Sequence, residues 1–246
     1  TSPIIWIIFS FILFILIIKD YLKQFSFSIL SILFLTIILS LNVKDNKETI
    51  YSPYQNITVQ HLSSPINPII IQNGHLFYQT ILNLSDDLLF TRENEVSDIR
   101  IMGPRVNKTH EKEFYNLPYS ISKKKPKSVL IIGSGAGNDV AAANRFNINN
   151  IKAVEIDPVI AKLGHKYHPE EPYQNKNVEI IIDDARNYIS KTEEKFDAIV
   201  YALLDSQTNL SAKGGIRLDS YVYTVEAFKE AREKLNKYAL SAHKSL

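Results

Sequence analysis

Cysteine is absent from this chain of 246 residues, and methionine and tryptophan occur once each. The lack of cysteine excludes a disulfide framework, a catalytic thiol and cysteine-ligated zinc. Neither sign of charge dominates, because 28 lysines and arginines stand against 26 aspartates and glutamates. This balance leaves no basic surface large enough to suggest polyanion binding, so we expect no nucleic acid among the partners.

Charge is also missing from two apolar runs, at residues 3–18 and 25–41. A membrane-spanning helix needs roughly 20 apolar residues, and both runs lie at the short end of that range. The link between them is too short to cross back, which predicts an antiparallel transmembrane hairpin in contact with membrane lipid. A cleaved signal peptide and a buried core helix are the alternatives for the first run. The first run begins close to the start of the chain, so we expect an N-terminal truncation.

Composition divides the chain into three predicted parts. Residues 1–46 form the transmembrane hairpin and a polar linker, residues 47–122 a small N-terminal β-domain, and residues 123–246 a nucleotide-binding domain. Within the second part, Asn73 and Gly74 stand between two apolar runs, which is the strongest short signal for a two-residue hairpin turn. We therefore predict a small antiparallel sheet over residues 50–90, whereas residues 91–122 show no clear period.

From residue 128 onwards, strand patterns alternate with helix patterns: SVLII, DVAAANRF, KAVEI, PVIAKLGHKY, VEIII, a short helix and FDAIVY. This alternation indicates βαβ units with right-handed crossovers, so we predict an α/β fold with a Rossmann-like, doubly wound parallel sheet. A last amphipathic helix is predicted over residues 224–235. The tail YALSAHKSL that follows is a weak candidate for a further strand, and we expect the C-terminus to be truncated as well.

The first of these strands runs directly into a loop that contains Gly133, Gly135 and Gly137, and a helix follows. This is the context in which a glycine loop approaches a nucleotide. Asn138 occupies the position where a third glycine would complete the dinucleotide fingerprint, which disfavours a pyrophosphate. Glu155 ends the second strand, where a carboxylate can accept hydrogen bonds from both hydroxyls of a ribose. Together these residues predict a nucleotide site, with a purely structural turn as the alternative.

Two further strand ends carry carboxylates at the same edge of the predicted sheet. Asp184, followed by Ala185, comes after the third strand, where it can accept a hydrogen bond from an adenine amino group or cap the next helix. Asp205 follows the fourth strand and is placed to orient an amine or to accept its proton. Tyr221 and Tyr223 are candidates for an aromatic wall around a substrate, with packing of the last helix as the alternative.

In this order and spacing, the segments VLIIGSGAGND, AVEIDP, VEIIIDDAR and FDAIV…LLD resemble spermidine synthase-like polyamine aminopropyltransferases. The upstream segment SPYQNI is similar to the S-x-Y-Q segment of that family's N-terminal β-domain. The resemblance covers residues 50–235, and the apolar hairpin matches membrane-tethered proteins of this group. It implies a methyltransferase-type fold, a co-substrate that is decarboxylated S-adenosylmethionine or S-adenosylmethionine, and no metal.

The resemblance also implies a role for individual residues. The three loop glycines line the nucleotide, Glu155 holds the ribose, and Asp184 with Ala185 meets the adenine. Gln55 helps to hold the transferred aminopropyl group, and Tyr54 beside it contacts the substrate.

The sequence departs from the family at two carboxylate positions. The family's D-x-x-D motif after the fourth strand has Ala202 in its first position here, so only Asp205 remains, and Ala136 replaces an aspartate in the glycine loop. A protonated amine cannot attack the carbon beside a sulfonium, so the loss of that base bears on aminopropyl transfer. Other carboxylates are candidates to replace the base: Asp139, Asp219 and Glu226.

The leading hypothesis is an aminopropyltransferase-like enzyme that acts on a small-molecule amine. A methyltransferase that uses S-adenosylmethionine is the first alternative, because methyl transfer to some acceptors needs little beyond alignment. A non-catalytic nucleotide-binding membrane module is the second. Since the co-substrates are cytosolic metabolites, an integral membrane protein with its soluble domain facing the cytoplasm is expected. The oligomeric state stays open, with a homodimer as one candidate, and His165 and His168 are expected to be surface histidines.

Overall fold

The computed structural model describes residues 3–18, 33–34, 36–37, 47–62, 68–73, 76–86, 108–122, 124–202 and 222–243. The chain forms two compact units, Thr1–Asp45 and Asn46–Leu246. Division of the second unit near residue 122 stays a prediction. Of the second apolar run, only residues 33–34 and 36–37 are among the described residues, and these are helical.

The first unit contains helix α1, Pro3–Ile18, of 16 residues. At 1.5 Å per residue a helix of this length spans roughly 24 Å, whereas the hydrocarbon core of a membrane is about 30 Å thick. Across the described parts of the chain, no helix combines the length and the apolar character that a membrane crossing requires. The predicted transmembrane hairpin therefore has no support, and the integral membrane localisation that was inferred from it is wrong.

The second unit begins with an antiparallel sheet of four strands in the order β1-β2-β3-β4. In β2 the alternate residues Ile57 and Val59 are buried, as expected for a strand with one covered face, whereas β3 is buried at four consecutive residues from Ile69 to Gln72. The small sheet was predicted correctly, although Gly74 of the predicted turn lies outside the described residues. Its strands are β1 Lys47–Tyr51, β2 Asn56–His61, β3 Ile69–Asn73 and β4 Leu76–Ile81.

A parallel sheet with strand order β7-β6-β5-β8-β9 follows, which confirms the predicted Rossmann-like α/β fold. Its strands are β5 Ser128–Ile132, β6 Asn150–Glu155, β7 Val178–Ile182, β8 Phe196–Tyr201 and β9 Leu235–His243. The described helices of this unit are α2 Lys108–Ser120, α3 Asn138–Arg145, α4 Pro158–Tyr167, α5 Ala185–Lys191 and α6 Val225–Glu233.

Strand β5 is buried along almost its whole length because both of its faces are covered. Val129 and Ile131 belong to one apolar cluster with residues of α3, and Leu130 and Ile132 belong to a second cluster with residues of α5 and α6. The continuous apolar run of this strand is typical of a parallel strand between two helical layers. This arrangement holds the carboxyl end of β5, where the glycine loop begins, in a fixed position.

Helix α2 was not predicted, and strand β9 was predicted only weakly. Helix α2 is polar over most of its length and contains Pro118, and its buried residues are Pro118 and Tyr119 at its end. Such a helix gives no clear apolar period. Strand β9 was judged a weak candidate, yet it pairs in parallel with β8. Its position at the sheet edge depends on tertiary pairing with β8 rather than on its own pattern.

Candidate nucleotide-binding site

The glycine loop lies at the carboxyl end of β5, and its backbone requires glycine at three positions. Gly133, Gly135 and Gly137 have φ angles of 71°, 56° and 103°. These angles lie in the left-handed region, which a side chain disfavours. The N–H groups of Gly133 and Ser134 both donate to the carbonyl oxygen of Val154 over 2.9 Å. The loop is therefore attached to the end of β6.

Glu155 is the last residue of β6, and its carboxylate is held by backbone groups on both oxygens. Oε2 accepts from the N–H of Gly135 over 2.8 Å, and Oε1 accepts from the N–H of Asp157 over 3.0 Å. Burial raises the pKa of Glu155, and these backbone hydrogen bonds oppose that effect. Because a carboxylate offers about four acceptor sites, Glu155 keeps acceptor capacity for hydroxyl groups of a ligand.

Gln55 reaches this corner from the turn between β1 and β2. The Ser52 hydroxyl accepts from the N–H groups of Tyr54 and Gln55 over 3.1 and 2.9 Å, which fixes the turn. The Gln55 amide then donates to the carboxylate of Asp157 over 3.2 Å, and Asp157 caps α4. The structure thus brings Gln55 to the loop that follows Glu155, while Tyr54 is half exposed.

Gln79 on β4 also contacts the glycine loop, and sequence reasoning missed it. Its side-chain oxygen accepts from the N–H of Ala136 over 3.0 Å. A Cβ atom at Gly135 would lie only 2.8 Å from that oxygen. A side chain at Gly135 would therefore require the Gln79 side chain to move away from the loop. A single polar residue on a strand gave no signal of this contact.

Tyr173, within a 3₁₀ turn at Pro172–Gln174, also contacts the loop. Its hydroxyl lies 2.7 Å from the carbonyl oxygen of Gly135 and 2.9 Å from the hydroxyl of Ser134. Burial raises the pKa of Tyr173, so the hydroxyl stays protonated. A Cβ atom at Gly137 would meet Pro172 at 2.8 Å. Gly137 thus allows the 3₁₀ turn to pack against the loop.

Asn138, which follows the loop, joins α3 to the small sheet. Its side-chain oxygen accepts from the N–H of Leu82 over 3.0 Å, and its amide donates to the carbonyl oxygen of Thr80 over 2.8 Å. The amide also lies 3.2 Å from the hydroxyl of Tyr115. Asn138 is buried, so these bonds are made away from water. They fix the end of β4 against the nucleotide-binding sheet.

His168 belongs to the same buried network, and the prediction that it is a surface histidine is wrong. Its side chain is 3% exposed, and burial together with the nearby charge of Arg145 lowers its pKa to about 3. Nδ1 accepts from the N–H of Glu170 over 3.2 Å, so Nε2 carries the proton and donates to Asn138 over 3.2 Å. His165 is exposed as predicted.

The residues predicted to meet adenine lie after β7. Asp184 accepts from the N–H of Asn187 over 3.0 Å and so caps α5, which is the alternative role that its position allowed. Asp183 accepts from the Asn187 amide on both oxygens, over 2.8 and 2.9 Å. Ala185 begins α5, and Ile182 at the end of β7 is half exposed. Contact of this edge with adenine stays a prediction.

The predicted substrate side is described only in part. Ala202 is 3% exposed and packs within an apolar cluster on one face of the parallel sheet. The hydroxyl of Tyr223 donates to the carbonyl oxygen of Ala202 over 3.2 Å, and its ring packs near Tyr201. Tyr223 is therefore part of the packing of α6, and its predicted substrate contact stays a prediction. Asp205 and Tyr221 lie outside the described residues, as does Asp219.

A known protein domain and several curated proteins match this chain. Residues 111–241 match the spermine/spermidine synthase domain. The polyamine aminopropyltransferase of Buchnera aphidicola is 46% identical over 78 residues, which are 30% of this chain and 27% of that protein. That of Saccharolobus solfataricus is 32% identical over 132 residues, 52% of this chain and 41% of that protein. This chain thus spans less than half the length of these curated relatives.

Solved structures show the same fold at low identity. The spermidine synthase of Thermotoga maritima has a TM-score of 0.51 and 16% identity, over 79% of this chain and 55% of that one. A probable spermidine synthase from Corynebacterium glutamicum has a TM-score of 0.53 and 16% identity, over 80% of this chain and 62% of that one. Because the domain match covers more than half of the residues, this chain belongs to the spermine/spermidine synthase domain family.

Proposed function

We propose that this chain transfers an aminopropyl group from decarboxylated S-adenosylmethionine to a small-molecule amine. The observation that carries the proposal is the buried carboxylate of Glu155, held by the N–H of Gly135 at the carboxyl edge of a parallel sheet. This is the place where open α/β sheets bind nucleotides. Membership of the synthase domain family supports the particular co-substrate.

In the proposed complex the ribose hydroxyls donate to the Glu155 carboxylate. The loop glycines lie along the nucleotide, and Asp184 and Ala185 face the adenine. Gln55, which lies beside the Glu155 corner, contacts the aminopropyl group, and Tyr54 contacts the substrate. The roles of the loop glycines, Glu155, Asp184 and Ala185 are consistent with the carboxyl edge of the parallel sheet, and Gln55 and Tyr54 come from the turn between β1 and β2.

The reaction itself is a displacement at carbon. The amine nitrogen attacks the methylene carbon beside the sulfonium, a C–N bond forms and the C–S bond breaks. The sulfur keeps the electron pair of that bond, which gives neutral 5′-methylthioadenosine. The amine must lose one proton to act as a nucleophile, and the secondary ammonium that forms keeps its remaining protons. One proton is therefore released overall, and a nearby base that accepts it accelerates the step. We propose that Asp205 provides this base.

The surroundings of Ala202 favour methyl transfer as the alternative function. A carboxylate is absent from this position, and the side chain packs among apolar residues. Methyl transfer from S-adenosylmethionine is less dependent on a base than aminopropyl transfer, because alignment of the acceptor with the methyl group supplies much of the rate.

Two other candidates for the base lie among the described residues. Asp139 is buried in the first turn of α3, and Glu226 is exposed on α6. These positions leave Asp205 as the better candidate base.

The proposal is tested by mass spectrometry of the nucleoside products. The purified chain is incubated with each form of S-adenosylmethionine and a mixture of diamines and polyamines. Formation of 5′-methylthioadenosine with an extended amine supports aminopropyl transfer, whereas S-adenosylhomocysteine indicates methyl transfer. Nucleoside binding without either product indicates a non-catalytic nucleotide-binding module. Glu155→Gln should abolish turnover, and Glu193→Gln, at an exposed residue, serves as its control.

The oligomeric state is a separate question. A homodimer stays a prediction, and light scattering on the purified chain measures the mass directly.

A further inference from the structure

The carboxylate of Asp157 is buried, and both of its oxygens accept hydrogen bonds. Oδ1 accepts from the N–H of Val159 over 2.9 Å, which caps the first turn of α4. Oδ2 accepts from the side-chain amide of Gln55 over 3.2 Å. Asp157 therefore connects the start of α4 to the turn between β1 and β2.

This contact determines which end of the Gln55 amide faces Asp157. A carboxamide donates at its NH₂ end and accepts at its carbonyl oxygen, whereas a carboxylate only accepts. The NH₂ end of Gln55 must therefore face Asp157, and the carbonyl oxygen Oε1 is left for another partner. Within the described parts of the chain, no group donates a hydrogen bond to Oε1.

The orientation of this amide matters for only one end of the proposed co-substrate. The aminopropyl group of decarboxylated S-adenosylmethionine ends in a primary ammonium, which donates hydrogen bonds and accepts none. A carbonyl oxygen that faces the ammonium stabilises it, whereas an NH₂ group in the same place opposes it. The adenosine end of the co-substrate is unaffected by which way the Gln55 amide is turned.

We infer that Asp157 is a positioning residue, which holds the Gln55 amide so that its carbonyl oxygen faces the ammonium of the aminopropyl group. This inference rests on the proposed function, because it takes the aminopropyl group as the ligand of Gln55. It gives the residue that caps α4 a second role, in binding one end of the co-substrate. The bond from Asp157 to Glu155 comes from the backbone N–H, so a change of the Asp157 side chain leaves that bond in place.

The test uses Asp157→Asn, which reverses the amide without removing the cap. Asparagine caps helices about as well as aspartate does, and its single side-chain oxygen stays with the N–H of Val159. Its NH₂ group then faces Gln55, so the Gln55 amide must turn over and present its carbonyl oxygen to residue 157. The NH₂ end of Gln55 would then face the ammonium of the co-substrate.

Calorimetry measures the binding of decarboxylated S-adenosylmethionine and of 5′-methylthioadenosine, which lacks the aminopropyl group and its charge. We expect Asp157→Asn to weaken binding of the first ligand roughly ten- to hundred-fold, the effect of losing a hydrogen bond to a charged group. Binding of 5′-methylthioadenosine should change less than two-fold. In turnover, KM for the co-substrate should rise.

Asp197→Asn is the matched control, because it makes the same chemical change near the start of β8, at the opposite edge of the sheet. The Asp197 carboxylate accepts from the N–H groups of Lys127 and Ser128. This variant should leave both affinities unchanged. Should Asp157→Asn fail to fold, Asp157→Ser keeps a capping oxygen, no longer reaches the Gln55 amide, and should show the same selectivity with a smaller loss.

A double-mutant cycle tests whether Asp157 acts through Gln55. Gln55→Met removes the amide and keeps a side chain of similar length. In that background, Asp157→Asn should cause no further loss of affinity for decarboxylated S-adenosylmethionine, because the group that it orients is absent.

Three results would overturn the inference: equal weakening of both ligands, no weakening of either, or a loss from Asp157→Asn that persists in Gln55→Met. Failure of the unaltered chain to bind decarboxylated S-adenosylmethionine would instead refute the proposed function. The two failures are therefore distinguishable within one set of titrations.

Discussion

The N–H of Gly135 donates to Oε2 of Glu155 over 2.8 Å, and this bond connects the loop after β5 to the end of β6. The two residues come from neighbouring parallel strands, whose carboxyl ends meet at one edge of the sheet. The glycine loop and the acidic residue, which together predicted a nucleotide site, are thus parts of one hydrogen-bonded unit. The properties of that unit lead to predictions that can be measured.

Nucleoside binding should depend on the ionisation of Glu155. Burial raises the pKa of Glu155 above its ordinary value of 4.5. Protonation removes acceptor sites from the carboxyl group, so affinity for 5′-methylthioadenosine should fall as the pH falls through this raised pKa. Calorimetry between pH 5 and 8 measures the effect. A flat affinity profile, or binding by Glu155→Ala equal to that of the unaltered chain, would contradict the assigned site.

The stability of the fold should have the opposite dependence on Glu155. Because the pKa is higher in the folded chain than in the unfolded chain, the folded state binds the proton more tightly, and this residue's contribution falls as pH rises between the two values. Glu155→Gln removes that dependence. In urea denaturation over this range, the difference in free energy of unfolding between the unaltered chain and Glu155→Gln should therefore change with pH. The free energy of unfolding of Glu193→Gln should have the same pH dependence as that of the unaltered chain.

Gly164→Ala should destabilise the protein although alanine is the better helix former. A Cβ atom at Gly164 would lie 2.4 Å from the carbonyl oxygen of Ala136 and 2.7 Å from its carbonyl carbon. These are backbone atoms of the glycine loop, so α4 and the loop would have to separate. We expect a loss of roughly 2–3 kcal/mol in the free energy of unfolding. Lys162→Ala, at an exposed position on the same helix, is the control.

Intrinsic helix propensity favours alanine over glycine by roughly 0.8–1.0 kcal/mol. A stability equal to or above that of the unaltered chain would therefore show that α4 does not pack against the loop as closely as described. Chemical denaturation shows whether Gly164→Ala lowers or raises the free energy of unfolding.

Asn138→Asp keeps the size of the side chain and removes its amide donor. The carbonyl oxygen of Thr80 would lose its partner and face an acceptor, in a position closed to water. We expect a loss of roughly 2–3 kcal/mol in unfolding free energy. The same substitution at Asn149, which is exposed, should cost less than about 0.5 kcal/mol. Similar losses at the two positions would contradict a role for Asn138 in joining the two sheets.

His168 should make the protein sensitive to mild acid. Its pKa is lowered to about 3 by burial and by the charge of Arg145, whereas the unfolded chain has the ordinary value of 6.5. The unfolded state therefore binds the proton first, and stability falls as the pH falls from about 6.5 toward 3, by at most about 1.4 kcal/mol per pH unit. His168→Gln should reduce this slope in denaturation series, while His165→Gln should not.

The elements with a regular pattern of apolar residues were predicted from the sequence. Strands such as β5 and β7 are short runs rich in β-branched residues, so their local pattern is enough to locate them. Helix α2 was missed because it buries little and contains a proline. Strand β9 was underestimated because its place at the sheet edge depends on its partner β8. The apolar run of α1 was correctly located, but its 16 residues fall short of the roughly 20 that a membrane crossing needs, so the predicted span was wrong.

In the candidate site, too, residues with a local sequence pattern were found and residues with distant partners were missed. Gly135 and Glu155 were found because their spacing within a βαβ unit has a chemical meaning. Gln79 and Tyr173 were missed because each lies far along the chain from the loop it contacts, and a lone glutamine or tyrosine has many other uses. The buried position of His168 was missed for a similar reason, since its partner Asn138 carried no signal of its own. Contacts of this kind become visible only when the fold is known.

The order of strands in the parallel sheet also affects how fast the chain can fold. Val129 of β5 pairs with Ala198 of β8, and both β6 and β7 lie between them along the chain. A long segment must therefore close into a loop before the central pair of strands can form, and the entropy of that closure slows the search. Until β8 arrives, the apolar edge of β5 is open to pairing with another chain. The time spent in that state, rather than final stability alone, should govern how much of the protein is recovered when it refolds at high concentration.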